Sequence, residues 1–242
     1  MMRLNWIVWK MKSLKLHETK KLFFKKYVYK LLLSNELNNL FRSENQKNKH
    51  LDYARDKLDE FASSYRNGQP LVQTFFRTER EIPMEHYIDA KNLYLLLKNQ
   101  KDFTIRVENG ASISVYTNDY DLLENISSKM KTVPQGFWEP AVGTKHLLTN
   151  DNIIVNTKPE FPIRIIFKHE KIPSDFANWL RANRDKSRIG DKALQCIDNN
   201  EHVGNFYFHV RDEKVLSIVH MLVGYAIRGI YNLVYMPPTI DK

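Results

Sequence analysis

Lysine and arginine are concentrated near the start of the sequence, and both side chains bind phosphate groups. Residues 1–30 contain nine basic residues and one acidic residue, Glu18. The remaining residues carry 28 basic and 27 acidic side chains, so almost all of the net charge of +9 lies in this segment. A polybasic segment with aromatic residues binds an anionic polymer or an anionic membrane surface, because it displaces condensed counterions. The segment predicts nucleic-acid contacts from Lys12, Lys15, Lys20, Lys21, Lys25, Lys26 and Lys30.

Two observations weaken this electrostatic argument. A polybasic tail can keep a protein soluble without binding any specific partner. Lysine also outnumbers arginine 24 to 13 and asparagine occurs 21 times, which indicates an AT-rich genome, so codon usage accounts for some of the lysines.

A second basic stretch, residues 181–192, lies far along the chain. It carries five basic and two acidic residues, and its polarity predicts an exposed loop after the end of a helix. Arginine offers a planar, bidentate fork to phosphate, so we take Arg181, Arg184, Lys186 and Arg188 as further nucleic-acid-binding candidates. The alternative is a solvated loop in which Asp185 and Asp191 neutralise their neighbours.

The stretch 204–210, GNFYFHV, places aromatic residues on both faces of one predicted strand. Exposed aromatic side chains on a strand stack on unpaired bases, as in RNA-recognition sheets. The basic start and the glycine spacing of those sheets are absent from this stretch. Packing into a hydrophobic core therefore remains the competing interpretation.

No catalytic, metal-binding or cofactor-binding residue is predicted. The sequence contains no G-x-G-x-x-G, G-x-x-x-x-G-K-[ST], H-E-x-x-H or G-x-S-x-G pattern, and its eight histidines form no i, i+3 or i, i+4 pair. Asp212, Glu213 and Lys214 follow an apolar strand and have the residue types of half a metal-dependent nuclease site. The competing interpretation is that Asp212 caps a helix.

Hydrophobic periodicity predicts alternating strands and helices. Strands are expected at 26–33, 71–76, 102–108, 111–117, 152–156, 162–168 and 205–210, and helices at 35–42, 51–66, 84–98, 120–131, 173–180, 191–198 and 213–234. The last helix is nearly all apolar, but His220 and Arg228 favour a core helix over a membrane span. No membrane insertion is therefore expected.

The clearest local signal is Asn109-Gly110, which separates two strands of alternating pattern by two residues. This dipeptide tolerates positive φ at both positions and predicts a β-hairpin with a type I′ turn.

The fold class predicted is α+β, with mixed or antiparallel sheets and flanking helices. The boundaries expected are a basic arm at 1–25, a first lobe at 26–131, a linker or crossing loop at 132–150, and a second lobe at 151–242 that contains the long helix. Residues 113–126 align with 206–219, matching Asp119 with Asp212. Two similar lobes would explain this match, and so would a generic strand, cap and helix.

Cys196 is the single cysteine and no secretory signal is evident, which favours a reducing, cytoplasmic setting or, for a viral protein, the virion. Translation could start at Met1 or Met11. The leading functional hypothesis is a non-catalytic nucleic-acid-binding accessory or architectural protein. The alternatives are a structural or assembly protein that forms an oligomer with itself or with a protein partner, and a metal-dependent nuclease.

Overall fold

A computed structural model describes residues 14–42, 51–75, 78–108 and 110–237 of the chain. It divides into a first unit, Met1–Lys145, and a second unit, His146–Lys242. The predicted loop at 43–50 and the first thirteen residues lie outside the described residues, as does Asn109.

The first unit is built on a sheet with the strand order β1-β7-β2-β6-β5 and a separate β3–β4 hairpin. Strand β1 runs parallel to β7, and the other neighbours in the sheet are antiparallel. The strands are β1 Leu16–Glu18, β2 Tyr29–Ser34, β3 Val72–Phe75, β4 Thr78–Glu81, β5 Phe103–Glu108, β6 Ser112–Thr117 and β7 Gly136–Glu139. The α-helices are α1 Asp52–Arg66, α2 Met84–Leu97 and α3 Tyr120–Lys129, with 3-10 turns at Asn38–Phe41 and Lys145–Leu147.

A buried carboxylate joins helix α2 to the segment that follows α3. Asp89 on α2 is buried and accepts hydrogen bonds from the backbone N–H of Lys131 and, at 2.8 Å, of Thr132. The Thr132 hydroxyl donates a third hydrogen bond at 2.7 Å. A buried carboxylate with three donors is stabilising because its charge remains solvated by hydrogen bonds.

The second unit has a sheet with the order β10-β11-β9-β12-β8, in which β12 and β8 are parallel. Its strands are β8 Asn152–Val155, β9 Ile163–Phe167, β10 Ser187–Ile189, β11 Tyr207–Val210 and β12 Ile227–Tyr235, and its helices are α4 Ser174–Ala182, α5 Asp191–Asp198 and α6 Glu213–Val223. The inward side chains of β9 and β11 pack against α4 and α6 in one hydrophobic core.

The two sheets have the same connectivity. The order β8-β12-β9-β11-β10 matches the order β1-β7-β2-β6-β5 strand by strand. Each strand has equivalent neighbours in the two sheets, and each pair of neighbours is parallel or antiparallel in both. Without the edge strands β1 and β8, and with α1, β3, β4 and α5 set aside, each follows the split β-α-β-β-α-β plan. A generic strand, cap and helix does not account for a match across whole sheets, so the units are structural repeats.

The repeat also holds at the level of single residues. Asp119 caps α3 by accepting a hydrogen bond from Leu122 N at 3.0 Å, and Asp212 caps α6 in the same way through Val215 N. Asp119 and Asp212 are 93 positions apart in the sequence. Trp138 on β7 and its counterpart on β12, Tyr231, are separated by the same number of positions. The α+β fold class is confirmed. The aligned stretches 113–126 and 206–219 are equivalent strand-to-helix segments, from β6 to α3 and from β11 to α6.

The long helix predicted at 213–234 was wrong. Helix α6 ends at Val223, a 3-10 turn occupies Gly224–Ala226, and the remaining residues form strand β12. The second half of the run is rich in β-branched and aromatic residues, which favour strands. Strand β12 is stabilised from both sides, by β9 and by β8.

The linker or crossing loop predicted at 132–150 also contains a strand. Strand β7 lies between β1 and β2 and pairs with both. Pro134 and Pro140 flank only four strand residues, the first of which is Gly136, so the residues typical of turns hid this strand in the sequence. Strand β4 was missed as well, because the sequence of Thr78–Glu81 is almost entirely polar.

The predicted hairpin is present, with a longer loop. Glu108 of β5 and Ser112 of β6 are the last paired residues before the turn. Three residues therefore connect the two strands, and not the two that were predicted. Gly110 has φ +78° and Ala111 has φ +62°.

Replacing Gly110 with Val should cost about 1–2 kcal/mol of the free energy of unfolding, because a β-branched residue is strained at positive φ. Open space around the Gly110 Cα removes steric overlap as a second cause. Urea unfolding measures the change. Gly110→Asn is the control, since Asn tolerates this region, and an equal loss in both variants would contradict the conformational explanation.

Candidate nucleic-acid interface

The first group of predicted phosphate ligands belongs to the folded first unit. Lys12 lies outside the described residues. Strand β1 is hydrogen-bonded to β7, and in the segment between β1 and β2 the rings of Phe23 and Phe24 contact Tyr116 of β6. The predicted lysines lie just before β1, in this connecting segment and on β2: Lys15, Lys20, Lys21, Lys25, Lys26 and Lys30.

Lys26 and Lys30 make contacts with acidic and aromatic side chains of the first unit. Lys26 forms an ion pair with Asp102 at 2.5 Å. Lys30 lies on β2 with its ammonium 4.4 Å from the Trp138 ring centroid and 5.6 Å from that of Tyr116. Partial burial lowers the pKa of Lys30. A phosphate would have to displace these neighbours to reach either ammonium.

The second predicted group surrounds the start of β10. Arg181, at the end of α4, pairs with Asp198 of α5, and Lys186 donates to Asn183 Oδ1 at 3.3 Å. Arg184 and Arg188 are exposed. The local-pairing alternative expected Asp185 and Asp191 to neutralise nearby arginines. The acidic partner of Arg181 is Asp198 instead.

The two faces of the second sheet differ in character. Ile163, Ile165, Phe167, Phe208 and Val210 point into the core, as the period-two alternation of strands requires. The opposite face carries Arg164 on β9, Tyr207 and His209 on β11, and Arg188 on β10. None of the residues in β9, β10 or β11 is acidic. This face is therefore positively charged and partly aromatic.

Arg164 organises the exposed face. Its guanidinium lies 4.6 Å from the ring centroid of Tyr207, and its Nε donates to His209 Nε2 at 3.1 Å. The rings of Tyr207 and His209 meet edge to face at 5.3 Å. Arg188 lies directly across from His209 in the strand register. These contacts hold the Tyr207 ring in place while 48% of it stays exposed.

His209 is held neutral by its surroundings. Burial, followed by the charges of Arg164 and Arg188, lowers its pKa from 6.5 to about 4. The hydrogen bond agrees with this direction, because Nε2 accepts from Arg164 and must be unprotonated.

The stability of the second unit should therefore depend on pH. Between pH 6.5 and 4 the unfolded chain binds a proton at His209 that the folded unit does not, so the free energy of unfolding falls as the pH falls. With allowance for screening of a partly exposed ring, the loss is on the order of 2 kcal/mol. Unfolding at several pH values, compared with His209→Gln, checks this. An identical loss in the variant would assign the effect to other groups.

A groove of about 520 Å³ opens at the β10 edge of this face. It continues into a second depression of about 370 Å³ that Arg181 and Arg184 line. Arg188 lines both. The groove walls comprise Pro159, Glu160, Phe161, Arg188, Ile189, Gly190, Asp191, Tyr207, His209 and Leu233.

The structure thus joins two features that the sequence suggested separately. The aromatic stretch predicted as a strand at 205–210 and the basic stretch 181–192 lie side by side because β10 pairs with β11, which places Arg188 opposite His209. Arg164 was not identified as a site residue. The signal was a single arginine within an otherwise apolar strand, IRIIF, which indicates that one face of this strand is exposed to solvent.

The residues of the nuclease alternative have a structural role. Asp212 is the N-cap of α6, and Glu213 lies in the first turn, where a carboxylate complements the helix dipole. Within the residues that the structure describes, no group of three or more histidine, cysteine or acidic side chains is placed to hold a metal ion. No helix in the same residues is long and apolar enough to cross a bilayer.

Comparison with known proteins adds no name to this geometry. No protein-family model, no curated protein and no solved structure matches the chain.

Proposed function

We propose that this protein binds single-stranded nucleic acid, without catalysis, on the exposed sheet face of its second unit. The observation that supports this most is the half-exposed ring of Tyr207 on β11, which Arg164 orients beside a groove lined by Arg188. Aromatic side chains that stack on bases, together with arginines that contact phosphates, are the means by which proteins bind unpaired strands.

Stacking is the first element of the proposal. A base can stack on the open side of the Tyr207 ring or on the guanidinium plane of Arg164. Both groups lie on central strands of the sheet, so the backbone beneath them is rigid. A rigid stacking surface loses little conformational entropy when the base binds.

Phosphate binding is the second element. Arg184 and Arg188 are exposed along the continuous groove and can approach consecutive phosphates. Glu160 and Asp191 line the same groove, where their carboxylates repel phosphate but can accept hydrogen bonds from the amino groups of bases. This mixture suits a strand whose bases point toward the sheet.

The preference for a single strand follows from the position of the ring. Tyr207 stands on the surface of a sheet, and the bases of a duplex are stacked on one another inside the helix. Only unpaired bases can be turned outward onto such a ring.

Replacing Tyr207 with Ala tests the proposal. We expect the affinity for a fluorescein-labelled single strand of about 12 nucleotides to fall about 5- to 50-fold, because one base loses its stacking partner. Fluorescence anisotropy measures the affinity. Tyr225→Ala is the matched control, since Tyr225 is 55% exposed in the same unit but lies in the turn after α6.

The test has two outcomes that would contradict the proposal. Equal affinity of wild type and Tyr207→Ala would remove the sheet face from the interface. A discrete oligomer in light scattering that neither single strands nor duplexes alter, with no anisotropy change, would favour the assembly alternative.

A further inference from the structure

The turn formed by residues 23–27 of the first unit presents an aromatic side chain in an unusual conformation. Phe24 and Lys25 are both left-handed, with φ of +53° and +56°. A bulky residue in this region is rare and costs energy, so the surrounding structure must hold it there. The ring of Phe24 is nevertheless 55% exposed.

Hydrogen bonds on both sides fix this turn. Phe23 N donates to Tyr27 O at 2.8 Å, and Tyr27 N donates back to Phe23 O at 2.9 Å. Asn118 then clamps the end of the turn, because its Oδ1 accepts from Val28 N and its Nδ2 donates to Lys26 O. The Phe24 ring rests with its edge against Tyr116 at 4.9 Å. The turn is therefore a rigid support for one exposed ring.

Three lysines lie close to Phe24 in the chain. Lys20 and Lys25 are exposed and Lys21 is half-buried, and all three lie within four residues of Phe24. The acidic residue nearest in the chain, Glu18, lies 3.8 Å from Lys20. An exposed ring in a lysine-rich segment suits a base and its flanking phosphates.

Resting on the proposed function, we infer that the turn 23–27 is a second single-strand contact, in which Phe24 stacks on a base and Lys20, Lys21 and Lys25 bind the neighbouring phosphates. The two contacts belong to one chain, so a strand long enough to reach both gains affinity through effective concentration. A strand too short to reach both contacts lacks this gain.

Phe24→Leu tests the inference in the full chain, because leucine keeps an apolar contact with Tyr116 but has no ring. We expect the affinity for a single strand of about 30 nucleotides to fall about 5- to 20-fold, and that for a strand of about 8 nucleotides to change less than twofold. Phe24→Trp should restore the long-strand affinity, and its added fluorescence should be quenched by the strand. Lys20, Lys21 and Lys25 changed together to Gln should flatten the salt dependence of long-strand binding.

The inference and the proposed function fail differently. An unchanged ratio of long-strand to short-strand affinity in Phe24→Leu overturns the second contact, whatever Tyr207→Ala does. If Phe24→Leu lost binding to vesicles that contain anionic lipid but kept its oligonucleotide binding, the turn would be assigned to a membrane surface, and the inferred second strand contact would be overturned. Failure of Tyr207→Ala to weaken the short strand overturns the proposed function instead.

Discussion

Replacing Phe208 with Ala is expected to destabilise the second unit by about 3–5 kcal/mol, since it removes a large side chain from a closed core. Phe208 is fully buried, stacks on Phe167 at 4.9 Å and meets Phe176 edge to face at 5.7 Å. Alanine would leave a cavity that these two rings cannot fill. Urea unfolding followed by near-ultraviolet circular dichroism measures the loss.

The matched control is one residue away on the same strand. Tyr207 points to the opposite face, so Tyr207→Ala should change the free energy of unfolding by less than about 1 kcal/mol while it weakens strand binding. The two variants together test the assignment of faces on β11. Equal destabilisation by both would show that Tyr207 is a core residue and that the exposed face has been misassigned.

Local patterns in the sequence predicted what local interactions determine. The period-two alternation of the strands at 103–108 and 163–167 and the capping by Asp119 and Asp212 depend on residues close in the chain. These elements are present where they were expected. The α+β class followed from them.

Long-range pairing decided the elements that were predicted wrongly. Residues 224–235 are apolar enough for either a helix or a strand, and hydrogen bonds to β8 and β9, more than 50 residues earlier, select the strand. Strand β7 has only four residues and is also non-local, since its partners β1 and β2 precede it by more than 100 residues. No periodicity within a short window contains this information.

The candidate site shows the same division. Both the arginines and the aromatic residues were visible in the sequence, but only the register that places Arg188 opposite His209 brings them to one face. The pairing of Arg181 with Asp198 was also hidden, because it joins α4 to α5 across seventeen residues. Charge counts over 181–192 therefore overestimate what Arg181 offers to a ligand.

Changing Arg184 and Arg188 together to Gln should weaken strand binding about 10-fold near physiological salt and reduce the slope of log affinity against log salt by about 1.4, the value for two phosphate contacts on a single strand. Glutamine removes the charge and keeps a polar side chain, so β10 and the residues before it should stay folded. Anisotropy titrations over a series of salt concentrations measure the slope.

Arg181→Gln is the internal control for that experiment. Arg181 lines the same depression, but its guanidinium already pairs with Asp198, so its loss should alter the slope by much less than one contact. The double variant should weaken adenine-rich and pyrimidine-rich strands equally, because phosphate contacts carry no base information. An unchanged slope in the double variant would remove the arginines from the interface, while an equal loss in Arg181→Gln would mean that the strand breaks the pair with Asp198 on binding.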